Sequence, residues 1–242
     1  MRRSVKTISG LTGLLVLGMA STVTSADLLN FHEGAFEISA SSEIGPDQSI
    51  DTDSQSGDLS TNPFDLMVST SASLGGFQTS ASASQLTAWN GSSITSMGAS
   101  LAGLSVGSTG SVTWNSNSLT NFYIEFTATE NVLFDLSGSV QGANGNFANV
   151  LLENLDTGVE IEAYSSDSAL SPFAASGSLV AGVNYRLQAN SAALSEGIAG
   201  LSSELNATGF NVDFSVTAIP GPGALSLLCV GGFFRSSRRR RG

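Results

Sequence analysis

Phe122-Tyr123-Ile124-Glu125-Phe126-Thr127-Ala128-Thr129-Glu130-Asn131-Val132-Leu133-Phe134-Asp135-Leu136-Ser137 is the stretch that decides the fold class. Phe122, Ile124 and Phe126 fall on one side of an extended chain, with Tyr123, Glu125 and Thr127 on the other. Val132, Phe134 and Leu136 then alternate with Leu133, Asp135 and Ser137. Period-two alternation of this kind marks strands with one buried face, because successive side chains in a strand point to opposite sides. The link Ala128-Thr129-Glu130-Asn131 predicts a hairpin between the two.

The same pattern extends outward. The runs 147–155 and 159–163 flank Asp156-Thr157-Gly158, whose glycine tolerates the positive φ of a tight turn, and these predict a second hairpin. The runs 178–180 and 183–189 around Ala181-Gly182 predict a third. Phe210, Val212, Phe214 and Val216 alternate with Asn211, Asp213, Ser215 and Thr217 in a last strand. Toward the N-terminus, Phe36, Ile38 and Ala40 make a first strand, and the small residues of 78–84 suit a sheet packed closely on another layer. Residues 91–110 read as a strand pair, a long loop or partly disordered chain. Leu194, Ile198, Leu201 and Leu205 have roughly helical spacing, consistent with a short helix or a structured loop. Strands at this spacing, separated by Gly-containing turns, predict an all-β antiparallel sandwich or jelly roll over 27–218.

Charge divides the chain into three parts. Of nine Lys and Arg, Arg2, Arg3 and Lys6 lie near one end and Arg235 and Arg238 to Arg241 near the other, leaving Arg186 in between. All twenty acidic residues lie between Asp27 and Asp213. A body so acidic repels polyanions, which excludes nucleic acid as a partner. The one cysteine, Cys229, is outside this body, so the expected domain is held by its core and not by disulfides.

Arg2, Arg3 and Lys6 precede an apolar stretch from Ile8 to Ala20, and small residues follow up to Ala26. This order is that of a secretory signal peptide over 1–26, with cleavage expected after Ala26. Residues 219–242 carry Pro220-Gly221-Pro222, an apolar run from Ala224 to Phe234 and an arginine cluster. Arginines after an apolar segment hold that end on the cytoplasmic side, which places the body outside the membrane.

The tail resembles the PEP-CTERM sorting signal of exopolysaccharide-associated bacterial surface proteins: a Pro-x-Pro motif, a hydrophobic helix and a terminal Arg cluster, paired with a signal peptide. Here the motif is Pro220, Gly221 and Pro222, with Gly221 where the family usually carries Glu, and the cluster is Arg238, Arg239, Arg240 and Arg241. The resemblance implies an exosortase-like membrane protease as partner, transient membrane insertion, and release to the envelope or extracellular matrix. The alternative for this segment is a single-pass anchor.

Several residues are candidates for chemistry. The only histidine, His32, stands near the expected mature start and reads as a surface or packing residue; a histidine-dependent serine hydrolase is not expected. Carboxylates on neighbouring predicted strands, Glu125 with Asp135 and Glu153 with Glu160 and Glu162, offer pairs of the kind a glycosidase uses, although they occupy positions that face solvent in any sandwich. The acidic loop 47–58 presents Asp51, Asp53 and Asp58 as candidate ligands of a structural Ca²⁺, an ion that favours six to eight oxygens. Trp89 and Trp114, with the three tyrosines, are candidate stacking platforms for a polysaccharide, or else core packing. The expectation is an exported, non-enzymatic matrix or cell-surface protein; the alternative is a carbohydrate-binding module or carboxylate-dependent enzyme on the same frame.

Overall fold

The computed structural model describes residues 27–45, 49–105, 112–199 and 204–219. The expected signal peptide with Ala26, the Pro220-Gly221-Pro222 motif, the apolar run and Arg238 to Arg241 lie outside these residues, as does Asp47 in the acidic loop. The described chain is all-β, in twelve strands: β1 (Leu29–Ile44), β2 (Ser49–Asp58), β3 (Phe64–Leu74), β4 (Phe77–Asn90), β5 (Ser93–Ser105), β6 (Val112–Ala128), β7 (Val132–Gln141), β8 (Ala148–Asn154), β9 (Val159–Ser166), β10 (Leu170–Leu179), β11 (Asn184–Ala199) and β12 (Leu205–Ala218). They form two six-stranded sheets, ordered β2-β1-β6-β11-β8-β9 and β10-β7-β12-β5-β4-β3. Neighbouring strands run antiparallel throughout.

The alternation over 122–137 is correct and its hairpin is not. Phe122, Ile124 and Phe126 are buried, as are Val132, Phe134 and Leu136, but β6 belongs to the first sheet and β7 to the second. The three-residue link 129–131 crosses between layers. The pair expected around Gly182 is corrected in the same way, because β10 and β11 lie in different sheets. The hairpin at Asp156-Thr157-Gly158 is present as β8–β9, with Gly158 at φ +66°. Residues 93–105 form a full strand, and 192–199 continue β11 where a helix was one expectation.

Packing between the sheets changes along the strands. At one end lies an aromatic core: Phe36 stacks on Phe64 at 5.1 Å and on Trp89 at 5.3 Å, and Phe126 and Phe214 meet at 5.5 Å. Further along, the inward residues of β6, β11 and β5 become Ser116, Ser118, Thr120, Ser191, Ser195 and Ser100. Here hydroxyls of one sheet bond carbonyls of the other: Ser118 Oγ donates to Leu101 O at 2.9 Å, Thr120 Oγ1 to Ala99 O at 3.2 Å and Ser100 Oγ to Ser191 O at 3.1 Å. Cα atoms of β5 come within 8 Å of β6 and β11 across this seam. Facing sheets usually stand ~10 Å apart; the smaller gap requires small side chains, and Ser100, Ser118, Thr120 and Ser191 replace apolar packing with hydrogen bonds, while the buried hydroxyls of Ser116 and Ser195 find no partner among the described residues. A second apolar cluster, Ile44, Ala72, Phe77, Leu104 and Trp114, closes the far end.

Candidate functional site

The outer face of the first sheet carries the most concentrated chemistry. Strand register places Glu33 opposite Glu125, Glu125 opposite Arg186, Arg186 opposite Glu153 and Glu153 opposite Glu160, a single row across β1, β6, β11, β8 and β9. In-register neighbours on one face lie about 5 Å apart, so like charges there repel unless a counter-charge intervenes. Arg186 supplies it: Nη2 and Nε reach Glu125 Oε1 at 2.5 and 3.1 Å, and Nη1 reaches Glu153 Oε1 at 3.2 Å. Its guanidinium carbon stands 5.2 Å from the centre of the Tyr123 ring, a cation–π contact. Tyr123 in turn donates its hydroxyl to Glu33 Oε1 at 2.7 Å.

The electrostatics follow from this geometry. The hydrogen bond from Arg186 to Glu125 holds the guanidinium above its ordinary value, so it stays cationic. The Glu33 carboxylate, by accepting the phenol's hydrogen bond, holds the proton on the Tyr123 hydroxyl and pushes it up. Chemically, the row is a clasp over the middle of the sheet that stays acidic overall, with four carboxylates to one guanidinium. Glu125 and Glu153 are both turned onto one guanidinium and act as its acceptors.

The other candidate pairs separate. Glu125 and Asp135, expected on adjacent strands, lie in different sheets and flank no common groove. Glu153 and Glu160 are true cross-strand neighbours, but a bulge at Leu152/Glu153 sets Glu162 opposite the buried Leu152. Glu162 there accepts the Tyr164 hydroxyl at 2.8 Å, and the Tyr164 ring stacks on Phe173 at 4.4 Å. His32 bonds Thr127 Oγ1 on the exposed surface, at the β1 bulge between Phe31 and Glu33. Gly103-Leu104-Ser105-Val106-Gly107 has the spelling of a nucleophile elbow, an occurrence the alternation pattern hides. Its Ser105 ends β5 as an extended residue beside the cluster that contains Ile44. Residues 106–111 lie outside the described ones, and His32 lies twelve residues back along β1 from Ile44, or about 40 Å, too far to serve Ser105 as a base.

The acidic stretch forms edge strand β2, and the structure does not gather its carboxylates. Asp51 Oδ2 accepts the Ser71 amide of β3 at 3.0 Å, and Asp58 Oδ1 accepts the Ser60 amide and hydroxyl at 2.8 and 2.5 Å. Those bonds hold the Asp58 carboxyl below its ordinary value. Asp51 and Asp58 stand about 23 Å apart along the strand, beyond the reach of one ion. Asp53 instead lines a shallow groove of about 240 Å³ with Ser39, Ser41, Thr52, Ser54 and Asn117. Among the described residues no group of three or more His, Cys, Asp or Glu is placed to hold a metal ion.

Both tryptophans are packed inward. Trp114 is 5% exposed within the far-end cluster, and Trp89 is half-buried against Phe36. Burial closes the Trp114 ring off, and Phe36 covers one face of the Trp89 ring. No protein-family model matches this chain, and a search of curated proteins found no similar sequence.

Proposed function

We propose that this chain is an exported, non-enzymatic protein of the cell surface or extracellular matrix, carried out by an N-terminal signal peptide and sorted by a C-terminal PEP-CTERM-like signal. The observation that carries the reading is the pairing of two terminal addressing segments with the acidic body between them: Arg2, Arg3 and Lys6 before an apolar stretch, and Pro220-Gly221-Pro222 before an apolar run and Arg238 to Arg241. The body supports a structural role through its hydrogen-bonded interior and through carboxylates engaged by Arg186 or by backbone amides. In this reading residues 1–26 are removed after Ala26. Residues 224–234 form a short helix, about 16 Å long, that holds the chain transiently in the membrane while an exosortase-like protease cuts near Pro220-Gly221-Pro222.

Intact-mass analysis of the exported protein tests this. Wild type is expected to begin at Asp27 and to lack the segment beyond the Pro-Gly-Pro motif, while a Pro220→Ala/Pro222→Ala variant keeps it. Identical C-termini in the two would remove the sorting signal from the account.

A further inference from the structure

The outer faces of the two sheets differ sharply in charge. On the first sheet, Glu33, Glu37, Glu125, Glu153 and Glu196 stand beside buried residues and point outward, Glu160 lies opposite Glu153, and Arg186 is the one base among them. On the second, the end shared by β3, β4, β5 and β12 holds Asp65 at a corner and is bordered by Asp213 one row beyond Asn211, with no base. Its rows, in register, are Asp65–Leu86–Met97–Asn211, Met67–Ser84–Ala99–Gly209, Ser69–Ser82–Leu101–Ala207 and Ser71–Ser80–Gly103–Leu205. Large apolar side chains stand open here: Met67 is 66% exposed, Met97 55%, Leu86 46% and Leu205 67%.

The relief of this surface is regular. A trough of about 280 Å³ runs over Ala99, Ala207 and Gly209, and one of about 290 Å³ runs over Ser69, Ser80 and Ser82. Leu101 lines both and forms the ridge between them.

We propose that this face binds a second copy of the same chain, an inference that goes beyond sorting and does not depend on it. Two bodies that each carry one base against twenty acids repel at most orientations; opposing this nearly uncharged face costs the least Coulomb energy, and charge depletion is what distinguishes the centre of protein interfaces. A twofold axis through the face lays the Leu101 ridge of each copy into a trough of the other, the self-complementarity a symmetric dimer requires. The face has no aromatic ring on which a sugar could stack, and a basic partner would be drawn to the glutamate face. The patch spans roughly 20 Å by 20 Å, about 400 Å² per copy. That is half of the ~800 Å² per partner usual in stable complexes, so the dimer is weak and depends on concentration.

Sedimentation velocity of the full chain, from micromolar to millimolar concentration, tests this with three variants. Wild type is expected to shift from monomer to dimer over that range. Leu101→Asp should weaken association at least tenfold, Leu101→Ser by less, and Asn121→Asp, which adds the same charge to the other sheet's outer face, should leave it unchanged. Unchanged urea midpoints would confirm that the variants remain folded. Wild type monomeric throughout, or association weakened equally by Leu101→Asp and Asn121→Asp, overturns the proposal. Protection of Met67 and Met97 from oxidation only when the producer's polysaccharide is added would also overturn it, assigning the face to the polymer.

Discussion

Arg186 shows how one residue can organise the surface of an acidic body. Placed centrally in its row, it separates Glu125 from Glu153, which would otherwise be near neighbours of like charge, and its guanidinium stands over the Tyr123 ring. The tyrosines add a pH dependence at the alkaline end. Hydrogen bonding to Glu33 raises the Tyr123 hydroxyl, and burial followed by its bond to Glu162 raises that of Tyr164. A raised folded value favours the protonated phenol, so this stability is fully present below the ordinary value of 10.0 and is lost as pH rises through the folded values. Urea midpoints measured from pH 9 to 11.5 should therefore fall with pH, and the fall should flatten in a Tyr123→Phe/Tyr164→Phe variant. An equal slope in both proteins would detach the effect from these two phenols.

At the scale of elements, Gly98 marks where the aromatic core gives way to the hydroxyl seam. It lies inward on β5 opposite Phe210, and a Cβ there would stand 2.4 Å from the Phe210 ring and 2.7 Å from Thr120 Cγ2. Gly98→Ala should cost about 1–3 kcal/mol in urea unfolding, since the ring and the neighbouring sheet must both move; a loss below ~0.5 kcal/mol would show that the junction yields easily. Edge strands are guarded by different means, with aspartates along β2, Glu160 and Glu162 on β9 and Pro172 in β10, while Asp51 of β2 bonds an amide of edge strand β3. Such devices discourage pairing with other chains.

The strands themselves were legible, because alternation reports which side of a strand is buried. It does not report which strand lies alongside, and a link of three or four residues serves equally for a turn or for a passage across a layer ~10 Å deep. That is why 129–131 and 180–183 read as hairpins. Residues 192–199 misled for a different reason: Leu194 and Ile198 point outward, 41% and 50% exposed, while the inward positions are Ala193 and Ser195. Where the gap between sheets is narrow, large residues are turned out, and apolar periodicity no longer marks the core. Of the candidate site, Arg186 was visible as the one Lys or Arg between Asp27 and Asp213, but its partners depend on strands 61 and 33 residues away in sequence.

For the whole molecule, the narrow seam reaches into thermodynamics. A sandwich packed throughout with phenylalanine would expose apolar surface along its full length on unfolding, and hydration of that surface is what raises the heat capacity. Here Ser100 bonds both Thr120 and Ser191 of the facing sheet across the middle of the body, so that region exposes hydroxyls and amides, which lower it. Calorimetry should accordingly give a heat-capacity increment below the usual ~12–15 cal/mol/K per residue, and an ordinary value would mean that the seam contributes as an apolar core does. A small increment flattens the curve of stability against temperature. The seam that brings the sheets together thus also broadens the thermal range over which the fold persists, most of all toward the cold.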